Sequence, residues 1–359
     1  IGGGVNAVTK SGTNTFRATA FVTHQNENMR GDTVDGTQIN GARDKDRTTT
    51  FGFSLGGPIL KNKLFFYVNA EFEQSPNVPV RWRGSEDGKA DANNYISRTT
   101  NADLAKVSEF VKSKYGYDTG SWTSFPANVN CRKILAKIDW NITDNHHLTV
   151  RYNNTVNNKW VGPNATSMDG GTRASGARTS QYSMSFANSM YSQQNVANSV
   201  SVDLNSRLTS NLSNQLLFTY SKLDDVRGTN SKEFPFIDIL DGSGQNYMAL
   251  GYELFTYYNG VHNDVVNVKD DLVWYGDNHK VTGGISFEYQ MADNAYLRNG
   301  TGYYRYKTLD DFLTGAAPEI VCLTYGYNGE TSPAARVQFN PAGLYLQDEW
   351  DINKNFKLS

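Results

Sequence analysis

The sequence predicts an all-β fold, organised as one antiparallel sheet whose strands run up and down in chain order. Apolar and polar residues alternate with a period of two in successive pairs of segments, which indicates strands with two different faces. A short turn separates the two segments of each pair, and a long polar stretch separates each pair from the next. Aromatic residues make up 13% of the chain and charged residues only 19%, which suits a sheet with one aromatic face and one polar face.

The strands can be followed along the chain. A single strand is predicted in TFRATAFVTHQ, followed by five pairs in TTTFGFSLGGPILKNKLFFYVNAEFE, KILAKIDWNITDNHHLTVRYNN, SVSVDLNSRLTSNLSNQLLFTYSK, VVNVKDDLVWYGDNHKVTGGISFEYQ and AGLYLQDEWDINKNFKLS. In the first pair, Phe51, Phe53 and Leu55 share one face. The fourth pair is less regular, because Asp270 falls on the same face as Val268. The count is ten or eleven strands.

The connections indicate where this sheet resides. The long stretches are predicted at 25–47, 74–132, 154–198, 222–264 and 291–342. Loops of this length are uncommon in compact domains and are usually functional. Here they occur at every second connection, so short turns and long loops lie at opposite ends of the sheet. That is the layout of an outer-membrane barrel with short periplasmic turns and long extracellular loops, in contact with the lipid of a Gram-negative outer membrane.

Three tryptophans support the membrane interpretation. Trp140, Trp274 and Trp350 each lie at the end of a strand, just before a short turn. They would form part of the aromatic girdle at the boundary between lipid and water. The alternative is that they are core residues of a soluble sandwich, which would leave the alternation of loop lengths unexplained.

The polar face of each strand would then face the barrel lumen. The residues predicted to face the lumen are Glu71, Glu73, Lys137, Asp139, Arg151, Lys280 and Glu288. In the long loops, NADLAKVSEFVKSKYGY predicts a helix with Asn101 as its cap, and TLDDFLTG predicts a second, short helix.

Candidate ligand-binding residues are the aromatic residues of the long loops, because exposed aromatic rings are common anchors in recognition. They are Trp122, Trp160, Tyr257, Tyr258 and Tyr325. The competing interpretation is that these rings pack the loops against one another.

Other kinds of chemistry find little support. A net charge of −2 gives no electrostatic footprint for nucleic acid. The sequence has no nucleophile motif and no metal-ligand spacing, so it predicts no enzyme, no cofactor and no metal site. The two cysteines, Cys131 and Cys322, are interpreted as isolated thiols, although a single disulfide between them stays open.

Three motifs resemble one family. GGGVNAVTKSGTNTF resembles the junction between plug and barrel in TonB-dependent outer-membrane receptors, especially their Oar-like and SusC-like groups. LGGPILKNKLFFYVNAEFE resembles their first periplasmic hairpin, and LYLQDEWDINKNFKLS a strand and turn in the middle of the barrel. Ala18 departs from this pattern, since these receptors often carry glycine in the first strand.

The resemblance implies a division of the chain and a function. Residues 1–14 would be the last plug strand and a linker, and residues 15–359 the amino-terminal part, roughly half, of a 22-stranded barrel. The implied function is TonB-dependent uptake of a glycan, peptide or iron chelate. The implied partners are the energy-coupling complex, which acts through the plug, and a surface lipoprotein if the chain is SusC-like. The alternatives are a passive porin or adhesin barrel, or a secreted soluble β protein that binds carbohydrate.

Overall fold

A computed structural model describes residues 8–38, 47–76, 79–164, 177–330 and 334–359. The first eleven strands are β1 (Arg17–Asn26), β2 (Thr33–Val34), β3 (Thr37–Gln38), β4 (Arg47–Leu60), β5 (Leu64–Pro76), β6 (Arg83–Ser85), β7 (Ile96–Thr100), β8 (Asn128–Thr143), β9 (His146–Val161), β10 (Met184–Ser185) and β11 (Tyr191–Arg207). The remaining strands are β12 (Leu212–Gly228), β13 (Phe236–Leu240), β14 (Asn246–Leu250), β15 (Gly260–Tyr275), β16 (His279–Ala295), β17 (Tyr303–Tyr306), β18 (Ile320–Cys322), β19 (Ala334–Phe339), β20 (Ala342–Asn353) and β21 (Phe356–Leu358). The two α-helices of the described residues are α1 (Asn101–Tyr115) and α2 (Leu309–Thr314).

Within the described residues, one sheet contains twelve strands in the order β1-β4-β5-β8-β9-β11-β12-β15-β16-β20-β21, with β19 also paired to β16. All pairs of neighbouring strands in this sheet are antiparallel. β19 and β20 pair with successive stretches of the same edge of β16, so the sheet has eleven strand positions. This agrees with the predicted ten or eleven strands. The sheet does not close on itself in the described part of the chain, and β1 and β21 are its two edges.

The connections confirm the predicted alternation of short turns and long loops. The short turns are 61–63, 144–145, 208–211, 276–278 and 354–355, and the long connections are 27–46, 77–127, 162–190, 229–259 and 296–333. The strands continue further than predicted: β9 extends to Val161 and β12 to Gly228. The pattern hid these extensions because apolar and polar residues no longer alternate regularly there. Strands of 16 or 17 residues exceed the roughly 9–11 residues that cross a bilayer, so their far ends project beyond the apolar zone.

The strand registers give the sheet one apolar face and one polar face, and no strand between β5 and β16 exchanges them. One row of paired residues is apolar, formed by Phe66, Ile138, Val150, Val202, Phe218, Val268 and Phe287. The next row is mostly polar, formed by Tyr67, Lys137, Arg151, Ser201, Thr219, Asn267 and Glu288. Apolar side chains such as Phe218 and Phe287 are 38% and 45% exposed rather than packed against a second layer. An apolar face left uncovered by protein is the arrangement that lipid stabilises.

Asp270 lies on the apolar face, as the sequence pattern indicated. Its register partner on β12 is Leu216, and the neighbouring outward residue of that strand is Asn214. The Asn214 amide donates a hydrogen bond of 2.5 Å to the Asp270 carboxylate. The hydrogen bond from Asn214 therefore gives the Asp270 carboxylate one polar partner on a face that is otherwise apolar.

The buried apolar core lies in the long connections rather than in the large sheet. A second sheet has the order β10-β14-β13-β17-β18, and we call this sheet together with α1 and α2 the cap. Its fully or nearly fully buried apolar residues come from several different loops: Leu104, Val107, Val111, Tyr117, Met184, Phe186, Ile237, Ile239, Met248, Leu250 and Phe312. The cap is connected to the large sheet at its long-loop end.

The two helices predicted inside the loops are confirmed. The helix N-cap of α1 is Thr100 rather than the predicted Asn101. The Thr100 side chain accepts a hydrogen bond from the Asp103 backbone N–H. Asn101 instead donates to the Glu86 carboxylate at 2.7 Å. The residue that follows α1, Gly116, is its C-cap. Its φ of 65° is left-handed and therefore favours glycine. Neither helix among the described residues is long and apolar enough to cross a membrane.

The two faces predict opposite responses to a charged substitution. We expect Phe218→Lys, on the apolar face of β12, to lower the free energy of unfolding in a bilayer by about 2–4 kcal/mol, because the ammonium group would enter hydrocarbon. Thr219→Lys, one residue further on the polar face, is the matched control and should cost much less. Urea unfolding of the full-length protein in lipid vesicles measures both, and equal losses would contradict the face assignment.

Candidate functional site

The cap is held together by a buried ion pair. The Arg178 guanidinium donates two hydrogen bonds to the Asp238 carboxylate, at 2.8 and 2.7 Å, and both side chains are 1% exposed. The Tyr303 hydroxyl donates to the same carboxylate at 2.9 Å. These residues come from the connections 162–190, 229–259 and 296–333, so one carboxylate joins three loops.

Arg98 attaches a further long connection, 77–127, to these three. Its guanidinium donates to the backbone oxygens of Tyr182 and Asn246 and forms an ion pair of 2.7 Å with Asp241. Burial alone would raise the pKa of Asp241, but hydrogen bonds from Ser243, Arg98 and the Gln245 backbone lower it to about 2. The carboxylate therefore stays charged at neutral pH and keeps Arg98 in place.

A second buried carboxylate lies where the cap meets the large sheet. Glu253 is 1% exposed and lies 3.6 Å from the Arg227 guanidinium near the end of β12. Burial raises the pKa of Glu253, against hydrogen bonds from Thr256 and the Phe255 backbone that lower it. Arg227 also lies over the Tyr191 ring at 4.4 Å, so the pair ties the cap to two adjacent strands of the large sheet.

The five candidate ligand-binding aromatics have different surroundings. Trp122 packs edge-on against the buried Phe186 ring, with centroids 5.9 Å apart, and contributes to the cap core. Trp160 lies near the end of β9 and is half-buried. Tyr257 packs edge-on against Tyr258 at 4.5 Å.

Tyr258 and Tyr325 are the most exposed of the five, at 45% and 79%. The segments that carry them both contact one turn: the Asn299 N–H donates to the Leu254 oxygen, and the Asn299 oxygen accepts from Thr324. Two further exposed tyrosines belong to the same region and were not among the predicted residues, Tyr296 at 54% and Tyr327 at 84%. Both lie in the predicted long stretch 291–342, so the criterion that selected Tyr325 applies to them as well. We call Tyr257, Tyr258, Tyr296, Tyr325 and Tyr327 the tyrosine surface.

The seven residues predicted to face the lumen share one face of the sheet, which the registers establish. The Lys133 ammonium donates to Glu71 at 2.7 Å, and Lys280 donates to Glu349 at 2.7 Å. Lys137 lies 3.2 Å from the Asp139 carboxylate. We call this face the polar wall. Its cations are largely matched by carboxylates, which keeps it hydrated and close to neutral.

Residues 11–14 lie against the polar wall before β1 begins. The Lys137 ammonium donates to the Ser11 hydroxyl at 2.8 Å, and Asn14 hydrogen-bonds to Asn62 in the short turn between β4 and β5. The chain therefore enters β1 from the polar side, at the short-turn end of the sheet. Residues 1–7, the remainder of the predicted plug strand and linker, lie outside the described residues.

The three predicted girdle tryptophans lie on the opposite, apolar face. Trp140, Trp274 and Trp350 are 39%, 43% and 41% exposed, and each is within three residues of a strand end that leads into a short turn. Trp350 stacks on His279 with ring centroids 5.5 Å apart. A row of half-exposed indoles at the short-turn end is the geometry expected of an interfacial girdle.

The remaining candidate chemistry is limited. Cys131 and Cys322 are not joined by a disulfide. His146 hydrogen-bonds to Ser206 and His147 to Asn141, so both imidazoles are engaged near the short turn. No three His, Cys, Asp or Glu side chains within the described ranges are placed to hold a metal ion together.

An up-and-down antiparallel sheet with an uncovered apolar face, a polar wall and a row of interfacial tryptophans defines the class of outer-membrane β-barrels. The chain belongs to the family described as outer membrane beta barrel domain, whose profile matches residues 8–80 and 85–359. Its location is therefore the outer membrane of a Gram-negative bacterium.

The relatives of this chain are transporters and receptors rather than enzymes, and they confirm the resemblance to TonB-dependent proteins. Over 71 residues the chain is 40% identical to the TonB-dependent transporter Oar of Myxococcus xanthus, which covers 19% of this chain and 7% of that protein. Its fold is similar to that of the outer membrane transporter YddB from Escherichia coli, with a TM-score of 0.57, 10% identity, and coverage of 94% of this chain and 37% of that one. The siderophore receptor PirA from Acinetobacter baumannii has a TM-score of 0.47 at 12% identity, with coverage of 96% of this chain and 38% of that one. The chain thus spans well under half the length of these proteins.

The buried ion pair predicts a cooperative loss of the cap. We expect Asp238→Ala to destabilise the cap by about 3–5 kcal/mol, because it leaves the Arg178 guanidinium buried without its counter-charge. Hydrogen exchange of the β13 and β17 amides in the full-length protein measures this as a lower opening free energy. Asp87→Ala, at a carboxylate that is 62% exposed, is the control and should change exchange little. Unchanged protection in Asp238→Ala would show that the pair does not hold the cap.

Proposed function

We propose that the chain is part of a TonB-dependent importer that takes up a scarce nutrient across the outer membrane. In this proposal residues 1–14 end the plug and form its linker, and residues 15–359 form roughly half of a 22-stranded barrel. Eleven strand positions and two open edges support the division, since edges in lipid require further strands to pair with them.

The path of residues 11–14 carries the proposal. They lie against the polar wall, hydrogen-bonded to Lys137 and to the short turn at Asn62, so the chain approaches β1 from the face that this proposal assigns to the barrel lumen. A plug that precedes the barrel and fills its lumen requires this route. A passive porin or adhesin barrel, which is the alternative, has no need of it.

The polar wall would face the plug. Its members Glu71, Glu73, Lys137, Asp139, Arg151, Lys280 and Glu288 would solvate the plug and bind it through many individually weak hydrogen bonds. The partners in this proposal are the energy-coupling complex, which acts on the plug, and a surface lipoprotein if the protein works as SusC-like receptors do. A soluble carbohydrate-binding protein is disfavoured, because that alternative requires the apolar face to be covered by a second layer of protein.

The ligand would bind at the cap, through the tyrosine surface and Trp160. A glycan, a peptide and an iron chelate are all candidates, and Oar and PirA are named for TonB-dependent transport and siderophore reception, respectively. Of the predicted aromatics, Trp122 is the weakest candidate, because its ring packs against the cap core.

Energy coupling is tested by uptake in intact cells. Cells that express the full-length protein are supplied with labelled oligosaccharides, oligopeptides or ferric siderophores, with and without a functional inner-membrane energy-coupling complex. We expect uptake of one class to depend on that complex. Uptake that persists after its removal would identify a passive channel instead.

The tyrosine surface gives a second prediction. Tyr258→Ala and Tyr325→Ala should each weaken binding of the transported class by about tenfold, since loss of an exposed aromatic anchor typically costs about 1–2 kcal/mol. Equilibrium binding to the purified full-length protein measures the effect. The matched controls Tyr258→Phe and Tyr325→Phe keep the ring and should retain most of the affinity. Full affinity in the alanine variants would exclude the tyrosine surface as the binding site.

A further inference from the structure

We propose that residues 11–14 form a fixed anchor, which stays bound to the barrel wall while the chain before Ser11 moves during transport. This inference rests on the proposed function and adds to it where the movable part of the plug ends. The anchor consists of Ser11, Gly12 and Asn14, each held by a different part of the wall.

The first attachment is a reciprocal amide pair at the short turn between β4 and β5. The Asn62 backbone N–H donates to the Asn14 side-chain oxygen at 2.7 Å, and the Asn14 amide nitrogen donates to the Asn62 side-chain oxygen at 2.5 Å. Asn62 has a left-handed φ of 62°, a conformation that asparagine tolerates better than most residues. The Asn141 amide of β8 donates to the Asn62 carbonyl at 3.0 Å, so the turn that receives Asn14 is itself fixed to the next strand.

The second attachment is the close approach of Gly12 to the sheet backbone. A Cβ atom on Gly12 would lie 2.8 Å from the Gly57 carbonyl oxygen and closer still to the Phe66 carbonyl oxygen. These obstacles are backbone atoms of β4 and β5, which cannot rotate away as a flexible side chain can. Only glycine fits at this position. A segment packed directly against the strand backbone cannot move along it without separating from the polar wall.

The third attachment is a lysine whose position is fixed by a neighbouring carboxylate. The Lys137 ammonium donates to the Ser11 hydroxyl at 2.8 Å and lies 3.2 Å from the Asp139 carboxylate. The Lys137 and Asp139 side chains are only 11% and 7% exposed. The Thr149 hydroxyl also donates to Asp139 at 2.9 Å, so the carboxylate that orients the lysine is itself oriented from β9.

Together these contacts attach three of the four residues 11–14 to β4, β5, β8 and the first short turn. A pulling force from the amino-terminal side acts on the Ser11 contact first. The contacts of Gly12 and Asn14, one and three residues further on, resist the same force. The polar wall offers the segment before Ser11 no comparable set of contacts among the described residues 8–10. Movement should therefore stop at Ser11.

A reversible cross-link tests whether the anchor stays in place. Asn14→Cys and Asn62→Cys are combined in the full-length protein, with Cys131→Ser and Cys322→Ser, and joined by a short bifunctional methanethiosulfonate reagent. We expect energy-dependent uptake by the cross-linked protein to stay within twofold of the uncross-linked protein. Loss of uptake that a reductant restores would overturn the proposal, because it would show that residue 14 must leave the wall. The Asn14→Cys protein treated with the same reagent is the control.

Glycine substitutions supply an independent readout. Gly12→Ala should unseat the segment and increase labelling of a Ser11→Cys thiol by a water-soluble maleimide, whereas Gly31→Ala should not, since a Cβ there is 4.0 Å from its nearest neighbour. Unchanged labelling in Gly12→Ala would contradict the anchor. If uptake by the unmodified parent does not need the energy-coupling complex, the proposed function fails, and the labelling experiment still decides whether the anchor exists.

Discussion

The structure depends on the requirement that every backbone N–H and C=O group within a bilayer be paired inside the protein. An antiparallel sheet meets this requirement between its edges, and its period of two then assigns each side chain to lipid or to the polar wall. Phe218 and Thr219 are adjacent in sequence, yet their paired rows run across seven strands without a change of face. A slip of one residue in a pairing would turn polar side chains of that strand, such as Lys137 or Arg151, toward lipid, so the register is strongly specified.

The protein handles apolar surface in two different ways. In the large sheet, the apolar side chains stay exposed and are stabilised by lipid. In the cap, an ordinary hydrophobic core forms around Leu104, Met184 and Ile239. Buried charges accompany this core: the Arg178–Asp238 pair joins loops that are far apart in sequence, and its strict geometry fixes how they assemble. The cap thus has a hydrophobic core of its own, built from the long connections of the large sheet.

The polar wall links these two parts to the proposed transport. Most of its charges are compensated locally, as in the Lys133–Glu71 pair, so a chain that contacts it meets a hydrated and nearly neutral surface. The proposed anchor at residues 11–14 contacts this surface through a close glycine contact, a pair of asparagines and the Lys137–Ser11 hydrogen bond rather than through an ion pair.

The sequence by itself determined the features that depend on local periodicity. It predicted the strand pairs, the alternation of short turns and long loops, the shared face of seven polar residues including Glu71 and Glu288, the three tryptophans at strand ends and helix α1. Each depends on residues within one or two strands, where the side-chain pattern and the turn chemistry act directly. The anomaly at Asp270 was also visible, but its partner Asn214 became apparent only from the register between β12 and β15.

Only the tertiary structure decided the cap and the anchor. The strand FIDIL is buried on every residue, and a short continuous apolar run does not show whether it is a strand or part of a helix. Its neighbours β14 and β17 come from different positions along the loops, and the parallel pairing with β17 leaves no local signature. Likewise, Lys137 lies 126 residues from Ser11. Contacts of this kind join residues that are far apart in sequence and close only in the folded chain. Side-chain periodicity within one segment carries no information about which distant segment it will contact.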